Sequence, residues 1–277
     1  MAEAKTFPKV KERSFKLRIP ISLPWLQIYS ALAILFLFLP IIMIILFSFN
    51  SAFTGVFPLT GFTLHWYREA LKKKILWDAL QNSIYIASLT SLSAALLGTM
   101  AAFGLTRHNF RLKGVLTTFL TIPMSLPTLL IGVSLLSFWA FLSVPRSLNT
   151  VIVGHAVYCV PYVVLVVVSR LENFDRSIEE AAMDLGANSF QTFRHITFPL
   201  IRSSIIGAML LMFAQSFDMF VITFFNIGAQ STLPMVIWSM MRRGISPALN
   251  ALAVLIFIPS MIMLIIANRF TEISFEV

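Results

Sequence analysis

The sequence has few charged residues and almost no cysteine. Only 12% of its 277 residues are charged and 58% are hydrophobic, so one soluble domain could not bury this apolar surface. The single cysteine, Cys159, excludes an internal disulfide and argues against a cysteine-based metal site. The sequence also lacks a phosphate-binding GxxxxGK(S/T) loop and any polar segment long enough to fold as an ATPase. Energy for any active process would therefore come from another chain or from an ion gradient.

Long apolar windows predict membrane spans. Six windows are long enough to cross a bilayer as a helix, and only one of them contains a charge, Asp218. None shows the short alternating pattern of a barrel strand. We therefore predict an all-α polytopic membrane protein with six transmembrane helices. The predicted cores of the spans are residues 28–49, 80–105, 115–142, 151–169, 200–225 and 249–267. We expect Pro123, Pro127 and Pro161 to kink the third and fourth spans.

The distribution of Lys and Arg predicts the orientation of the spans. With the N-terminus inside, about twice as many basic residues flank the cytoplasmic ends as the outer ends, which places both termini in the cytoplasm. The predicted organisation is a basic cytoplasmic tail over 1–27, one transmembrane domain over 28–270 and a short tail over 271–277. Because the charges are divided among membrane-flanking segments and form no single patch, we expect no nucleic-acid partner; membrane lipid is the expected surrounding.

One predicted inner loop, residues 171–198, is charged and contains a glycine, and it carries the signals of two short helices. Ser177 with Glu180 fits a capping box, Gly186 would end the first helix, and Asn188 would cap the second. The acidic residues expected to complement the helix dipole are Glu179, Glu180 and Asp184. The residues expected on one small, apolar face are Ile178, Ala181, Ala182 and Leu185. We interpret this loop as a docking surface for another protein.

The spacing within this loop resembles the EAA loop of permease subunits of ATP-binding-cassette (ABC) importers. The likeness rests on Glu180-Ala181-Ala182, Gly186, Ile196 and Pro199, with Phe198 where the family's pattern has Leu. Further segments are similar to the spermidine/putrescine branch of these permeases: residues 171–175, 216–218 and 245–253.

The resemblance implies a type I importer (MetI-like) permease fold in the bacterial cytoplasmic membrane. It implies a second, different permease, two copies of an ATPase and an extracytoplasmic substrate-binding protein as partners. ATP and Mg would be bound by the ATPase, so this chain would be a transport subunit with no cofactor, catalytic residue or metal site of its own. The implied ATPase-docking residues are Glu180, Ala181, Ala182, Asp184, Gly186, Ile196 and Pro199.

Asp218 is the only acidic residue predicted inside a span. A carboxylate there is costly unless it is paired or lines a wet cavity, so it is either a substrate-pathway residue or a contact between helices. Gln215 and Asn226 are further pathway candidates, although lone polar side chains also bond neighbouring helices. Members of the polyamine branch commonly place a second acidic residue after this Asp, whereas this chain has Met219. We expect a small, amine-containing, polyamine-like solute; one carboxylate also fits a singly charged cation or a zwitterion.

Two other classes of function remain open at this stage. A stand-alone secondary transporter driven by protons through Asp218 would explain the single membrane carboxylate. The docking loop and the lack of evident inverted-repeat halves argue against it. A membrane enzyme would require a motif such as HExxH or GxSxG, which the sequence lacks.

Overall fold

The computed structural model describes residues 24–52, 59–242, 244 and 246–272, and helices dominate these residues. The α-helices, in chain order, are α1 Pro24–Ser48, α2 His65–Lys72, α3 Lys74–Arg107, α4 Lys113–Ser125, α5 Thr128–Phe141, α6 Leu148–Glu172, α7 Ser177–Asp184, α8 Ser189–Thr192, α9 Phe198–Asp218, α10 Phe220–Asn226, α11 Leu233–Arg242 and α12 Pro247–Glu272. A π-helical segment, Phe193–Thr197, joins α8 to α9. The predicted all-α class is confirmed.

Contacts within the chain separate two units, Met1–Met43 and Ile44–Val277. The described part of the first unit is the N-terminal portion of α1, a strongly apolar helix with Pro40 inside it. The second unit contains the other helices. The predicted domain boundaries at residues 27 and 270 stay predictions.

Four described helices are long and apolar enough to cross a membrane: Trp25–Ser48, Lys74–Arg107, Leu148–Glu172 and Ser189–Asp218. A fifth span is obtained if α4 and α5 are taken together, although the pair is bent by 105°. The last predicted span, residues 249–267, falls within α12, of which the stretch Pro247–Ile258 is apolar. The predicted count of six and the cytoplasmic location of both termini therefore stay predictions.

The kink expected at Pro127 in the span over 115–142 is confirmed, and the bend there is sharp enough to divide the span into two helices. Helix α4 ends at Ser125, and Leu126 adopts an extended conformation with ψ of 138° before Pro127. A proline disfavours helical backbone at the preceding residue because its ring clashes with that residue, so the chain turns here before α5 begins. The long apolar window thus holds two helices at an angle.

The expected continuous helix over 200–225 is also interrupted, at Met219, where neither proline nor glycine is present. Met219 is extended, with φ of −73° and ψ of 96°, and separates α9 from α10. The buried imidazole of His155 in α6 bridges the break. Its Nδ1 lies 2.8 Å from Ser216 Oγ before the break, and its Nε2 lies 2.9 Å from Thr223 Oγ1 after it. The Thr223 hydroxyl in turn donates to the Met219 carbonyl, which stabilises the break.

Helix α3 packs against α6 and α9 through small residues. Its buried face includes alanine, serine, threonine and glycine, and the central cluster joins Ala94 and Ala102 of α3 to Val163 of α6 and Ile201 of α9. Cys159 is buried in the same cluster. Small residues allow helix backbones to approach closely, which favours association in lipid, where no hydrophobic effect draws helices together.

The N-terminal half of α3 is covered by α2, α11 and α12. A second cluster joins Ala70 of α2, Leu76 and Ala79 of α3, Val236 of α11 and Leu252 of α12. The amide of Asn82 donates to the Ser231 carbonyl at 2.9 Å, and Ser83 Oγ accepts the backbone N–H of Leu233 at 2.9 Å. These bonds fix the chain that enters α11 against α3.

Replacement of Gly98 should destabilise the fold. A Cβ atom placed at Gly98 would lie 2.7 Å from Cβ and Cγ1 of Val163, closer than such atoms approach. We expect Gly98→Ala to lower the free energy of unfolding by about 1–3 kcal/mol, the usual cost of overpacking. Thermal unfolding in detergent measures the change.

Gly104→Ala is the matched control, because it lies in the same helix and its Cβ would meet no described atom within 4 Å. It should unfold at or slightly above the temperature of the unchanged protein. Equal unfolding temperatures for the Gly98 and Gly104 variants would show that α3 and α6 do not pack this closely.

Candidate docking site and membrane pathway

The predicted docking loop forms α7, a glycine turn and α8, but α7 begins differently from the expectation. The predicted capping box at Ser177 and Glu180 was wrong, because Ser177 is already the first helical residue. The N-cap residue is Arg176, and the carboxylate of Asp175, one residue earlier, accepts the backbone N–H of Ser177 at 3.0 Å, which lowers the pKa of Asp175. The carboxylate of Glu180 lies 3.4 Å from the Arg176 guanidinium, in an exposed pair.

The glycine turn after α7 confirms the predicted stop. Gly186 has φ of +91°, a conformation that L side chains rarely adopt. The N–H of Gly186 donates to the Met183 carbonyl at 2.9 Å, and the N–H of Ala187 donates to the Ala182 carbonyl at 3.1 Å. These two bonds are those of a Schellman motif, which satisfies carbonyls left open at a helix end.

The second predicted cap is confirmed at the start of α8. The side-chain oxygen of Asn188 accepts the backbone N–H of Gln191, and the side-chain oxygen of Gln191 accepts the backbone N–H of Asn188, both at 2.9 Å. Such reciprocal bonding holds a short helix in a fixed orientation. The turn and this cap together fix the backbone between α7 and α8, so the two short helices form one ordered surface feature.

An apolar surface is exposed on this feature. The side chain of Leu185 is 90% exposed, and Ile178 and Met183 are each nearly half exposed. A groove of about 380 Å³ lies between α7 and the segment that follows; its lining includes Ala182, Leu185, Gly186, Gln191, His195 and Ile196. Of the predicted docking residues, Glu180, Ala181, Asp184, Gly186 and Pro199 are exposed, and Ala182 and Ile196 are half-buried. An exposed apolar surface on a backbone that hydrogen bonds hold in place is typical of a protein interaction site.

Glu179 has a role that the sequence did not show. Its side chain is buried, and its Oε2 lies 2.7 Å from Nε of Arg107, the last residue of α3. A second guanidinium nitrogen donates to Oε1 at 3.1 Å, and the Thr197 hydroxyl donates to the same oxygen. The sequence pattern indicated only a carboxylate near the N-terminus of a helix, because Arg107 is 72 residues away.

The three candidate pathway residues occupy different surroundings. Asp218 and Gln215 are exposed on α9 and lie three residues apart, immediately before the break at Met219. Asn226 is instead fully buried, and its amide donates to the carbonyls of Gly132 and Ile222 at 3.1 and 2.8 Å. The structure thus brings Asp218 and Gln215 to one surface and places Asn226 in contacts between helices.

Comparison with known proteins identifies the family of the chain. Residues 94–273 match the family described as "Binding-protein-dependent transport system inner membrane component". The putrescine transport system permease protein PotI of Escherichia coli (strain K12) is 39% identical over 241 residues, which cover 84% of this chain and 85% of that protein. The spermidine/putrescine transport system permease protein PotC of the same strain is 35% identical over 231 residues, which cover 83% and 87%.

Two solved structures share the fold. One is a bacterial ABC transporter involved in the import of the acidic polysaccharide alginate, with a TM-score of 0.71, 16% identity and coverage of 89% of this chain and 95% of that chain. The other is the MetNI methionine ABC transporter in an inward-facing conformation, with a TM-score of 0.61, 16% identity and coverage of 72% and 95%. The predicted type I importer fold is confirmed, and the family favours the importer over the proton-driven transporter. The chain belongs to the binding-protein-dependent inner membrane components, the permease subunits of ABC importers.

Proposed function

We propose that the chain forms half of the translocation pathway for a small, amine-containing, polyamine-like solute and is driven by a separate ATPase that docks on α7 and α8. The observation that carries this proposal is the exposed apolar apex of the docking loop, where Leu185 is 90% exposed beside Gly186. Isolated leucines are often exposed in proteins. Here, however, Leu185 directly follows α7, whose exposed face also carries Ile178, and a Schellman turn fixes its position.

The proposed assembly has two ATPase copies, a second and different permease, and an extracytoplasmic substrate-binding protein. The ATPase copies would bind ATP and Mg, because this sequence has no phosphate-binding loop of its own. Closure of the two ATPases would displace the docking loops and move the permeases between inward-open and outward-open states.

The length of α3 supports a position for the binding protein on the side of the membrane opposite to the docking loop. The Arg107 end of α3 contacts the docking loop through Glu179. Helix α3 has 34 residues and is therefore about 50 Å long, whereas the hydrocarbon core is about 30 Å thick. If the docking loop is cytoplasmic, the Lys74 end of α3 lies on the extracytoplasmic side, and the binding protein would approach there.

The exposed surface of α9 supports a pathway for an amine. Asp218 would complement an ammonium group, and Gln215, one turn earlier, would donate or accept a hydrogen bond. Asp218 is the single carboxylate of α9, and the next residue, Met219, is buried against Ile131 and Ile222. The names of the relatives, which specify putrescine and spermidine, support a solute with amino groups.

Leu185→Asp should weaken ATPase docking. The substitution places a charge where we propose an apolar contact, and loss of a central apolar anchor costs about 2 kcal/mol or more, which corresponds to about 30-fold weaker binding. The ratio of ATPase to permease after purification measures docking. The matched control is Leu112→Asp, since Leu112 is also exposed and lies in the connection that follows α3. Equal ATPase recovery with both variants would contradict docking at α7.

Asp218→Asn should lower the uptake of a cationic solute. The substitution keeps the shape of the side chain and removes the charge that would bind an ammonium group. We expect about tenfold slower initial uptake of labelled putrescine, the effect of losing one charge-assisted hydrogen bond. Glu172→Gln is the control, because Glu172 is an exposed carboxylate at the end of α6 that lies outside the proposed pathway. Unchanged uptake by Asp218→Asn, with normal assembly, would remove this residue from the pathway.

A further inference from the structure

The two neighbouring glutamates of α7 have opposite surroundings. The side chain of Glu180 is 59% exposed, and it pairs with Arg176, one turn earlier in the chain. The side chain of Glu179 is only 6% exposed, and it pairs with Arg107 at the end of α3, whose side chain is 11% exposed. An exposed pair of this kind contributes little to stability, whereas a buried pair fixes the geometry between two elements.

The buried pair brings the ends of three long helices to one point. Arg107 ends α3, and one of its nitrogens also donates to the carbonyl of Leu171 in the last turn of α6 at 3.5 Å. Thr197, which donates to Glu179, immediately precedes α9. The guanidinium and the carboxylate are planar groups held by two contacts, so their relative orientation is fixed as well as their distance.

The backbone between α6 and α7 offers a less direct connection. Residues 172–178 are mostly exposed, and the segment from Asn173 to Arg176 lies outside both helices. Because this segment is exposed, few buried contacts along it would transmit a displacement of α7 to α6. The side chains of Arg107 and Glu179, by contrast, join α7 directly to the packed core formed by α3, α6 and α9.

We propose that the Arg107–Glu179 ion pair is the connection through which movement of the docked ATPase reaches α3 and α6, whereas α9 continues directly from α8 through the π-helical segment. This inference rests on the proposed docking of an ATPase at α7. Glu179 and Arg107 are positioning residues in this mechanism: they touch neither solute nor nucleotide. The pair keeps α7 and the adjacent helix ends together, so a displacement of the docking loop becomes a displacement of the helices.

The test compares transport with ATP hydrolysis in the complete, assembled transporter in vesicles. Glu179→Gln retains the shape of the side chain but places a neutral amide against the buried Arg107. We expect the ATPase to copurify normally, while putrescine transported per ATP hydrolysed falls about tenfold, within the range of coupling between sites. Glu172→Gln is the control, since it neutralises an exposed carboxylate at the end of α6 and should leave this ratio unchanged.

Two further variants separate coupling from folding. Arg107→Lys keeps the positive charge but replaces the guanidinium fork with one ammonium group, so it should assemble and show a smaller loss of coupling. Exchange of the charges, Arg107→Glu together with Glu179→Arg, should recover part of the coupling that either single change removes. A merely structural role would change the amount of assembled transporter and leave the transport per ATP of the assembled fraction at its normal value.

The outcomes distinguish this inference from the proposed docking. Normal transport per ATP in Glu179→Gln and Arg107→Lys, with ATPase binding lost in Leu185→Asp, would overturn the inference and leave the docking proposal intact. Normal ATPase binding by Leu185→Asp would contradict the docking proposal itself. Loss of ATPase copurification in Glu179→Gln would also overturn the inference, because the pair would then shape the docking surface instead of transmitting its movement.

Discussion

Close packing of α3 against α6 and α9 is the constraint on which the rest of the described structure depends. At Gly98 the backbone of α3 comes so near Val163 that no side chain fits between them. In lipid no hydrophobic effect draws helices together, so van der Waals contact at such crossings supplies most of the attraction between the helices. This packing sets the position of Arg107 beside the docking loop and of His155 beside the break in α9.

Buried polar side chains are concentrated where helices end or are interrupted. His155 bridges the break at Met219, and Asn226 joins α10 to the carbonyl of Gly132 in α5. Arg107 at the C-terminal end of α3 pairs with Glu179 and donates to the carbonyl of Leu171 in the last turn of α6. Backbone groups freed at a break must find partners within the protein, because lipid provides none. Two short helices and a turn can then project from the membrane domain without loosening it.

Local signals in the sequence predicted the docking loop better than the spans. Gly186 and the Asn188 cap act through neighbours within four residues, so their geometry could be foreseen. The capping box at Ser177 was wrong because α7 already begins at Ser177, whose N–H donates to Asp175, two residues earlier. The bend at Pro127 could be predicted from the proline itself, whereas the break at Met219 was missed because no proline or glycine marks it and the apolar window gives only the length of a span. The Arg107–Glu179 pair was missed because it depends on tertiary packing, and the assignment of Asp218 and Gln215 to a pathway stays a proposal.

The central claim is that this permease works through a separate ATPase bound at the docking loop. The most direct test is purification of the unchanged chain in mild detergent from its native membranes, followed by mass spectrometry of the proteins that accompany it. The claim predicts recovery of two ATPase copies for each copy of this chain, together with one copy of a second permease. Recovery of the chain alone, with uptake that follows the proton gradient and does not require ATP, would contradict it.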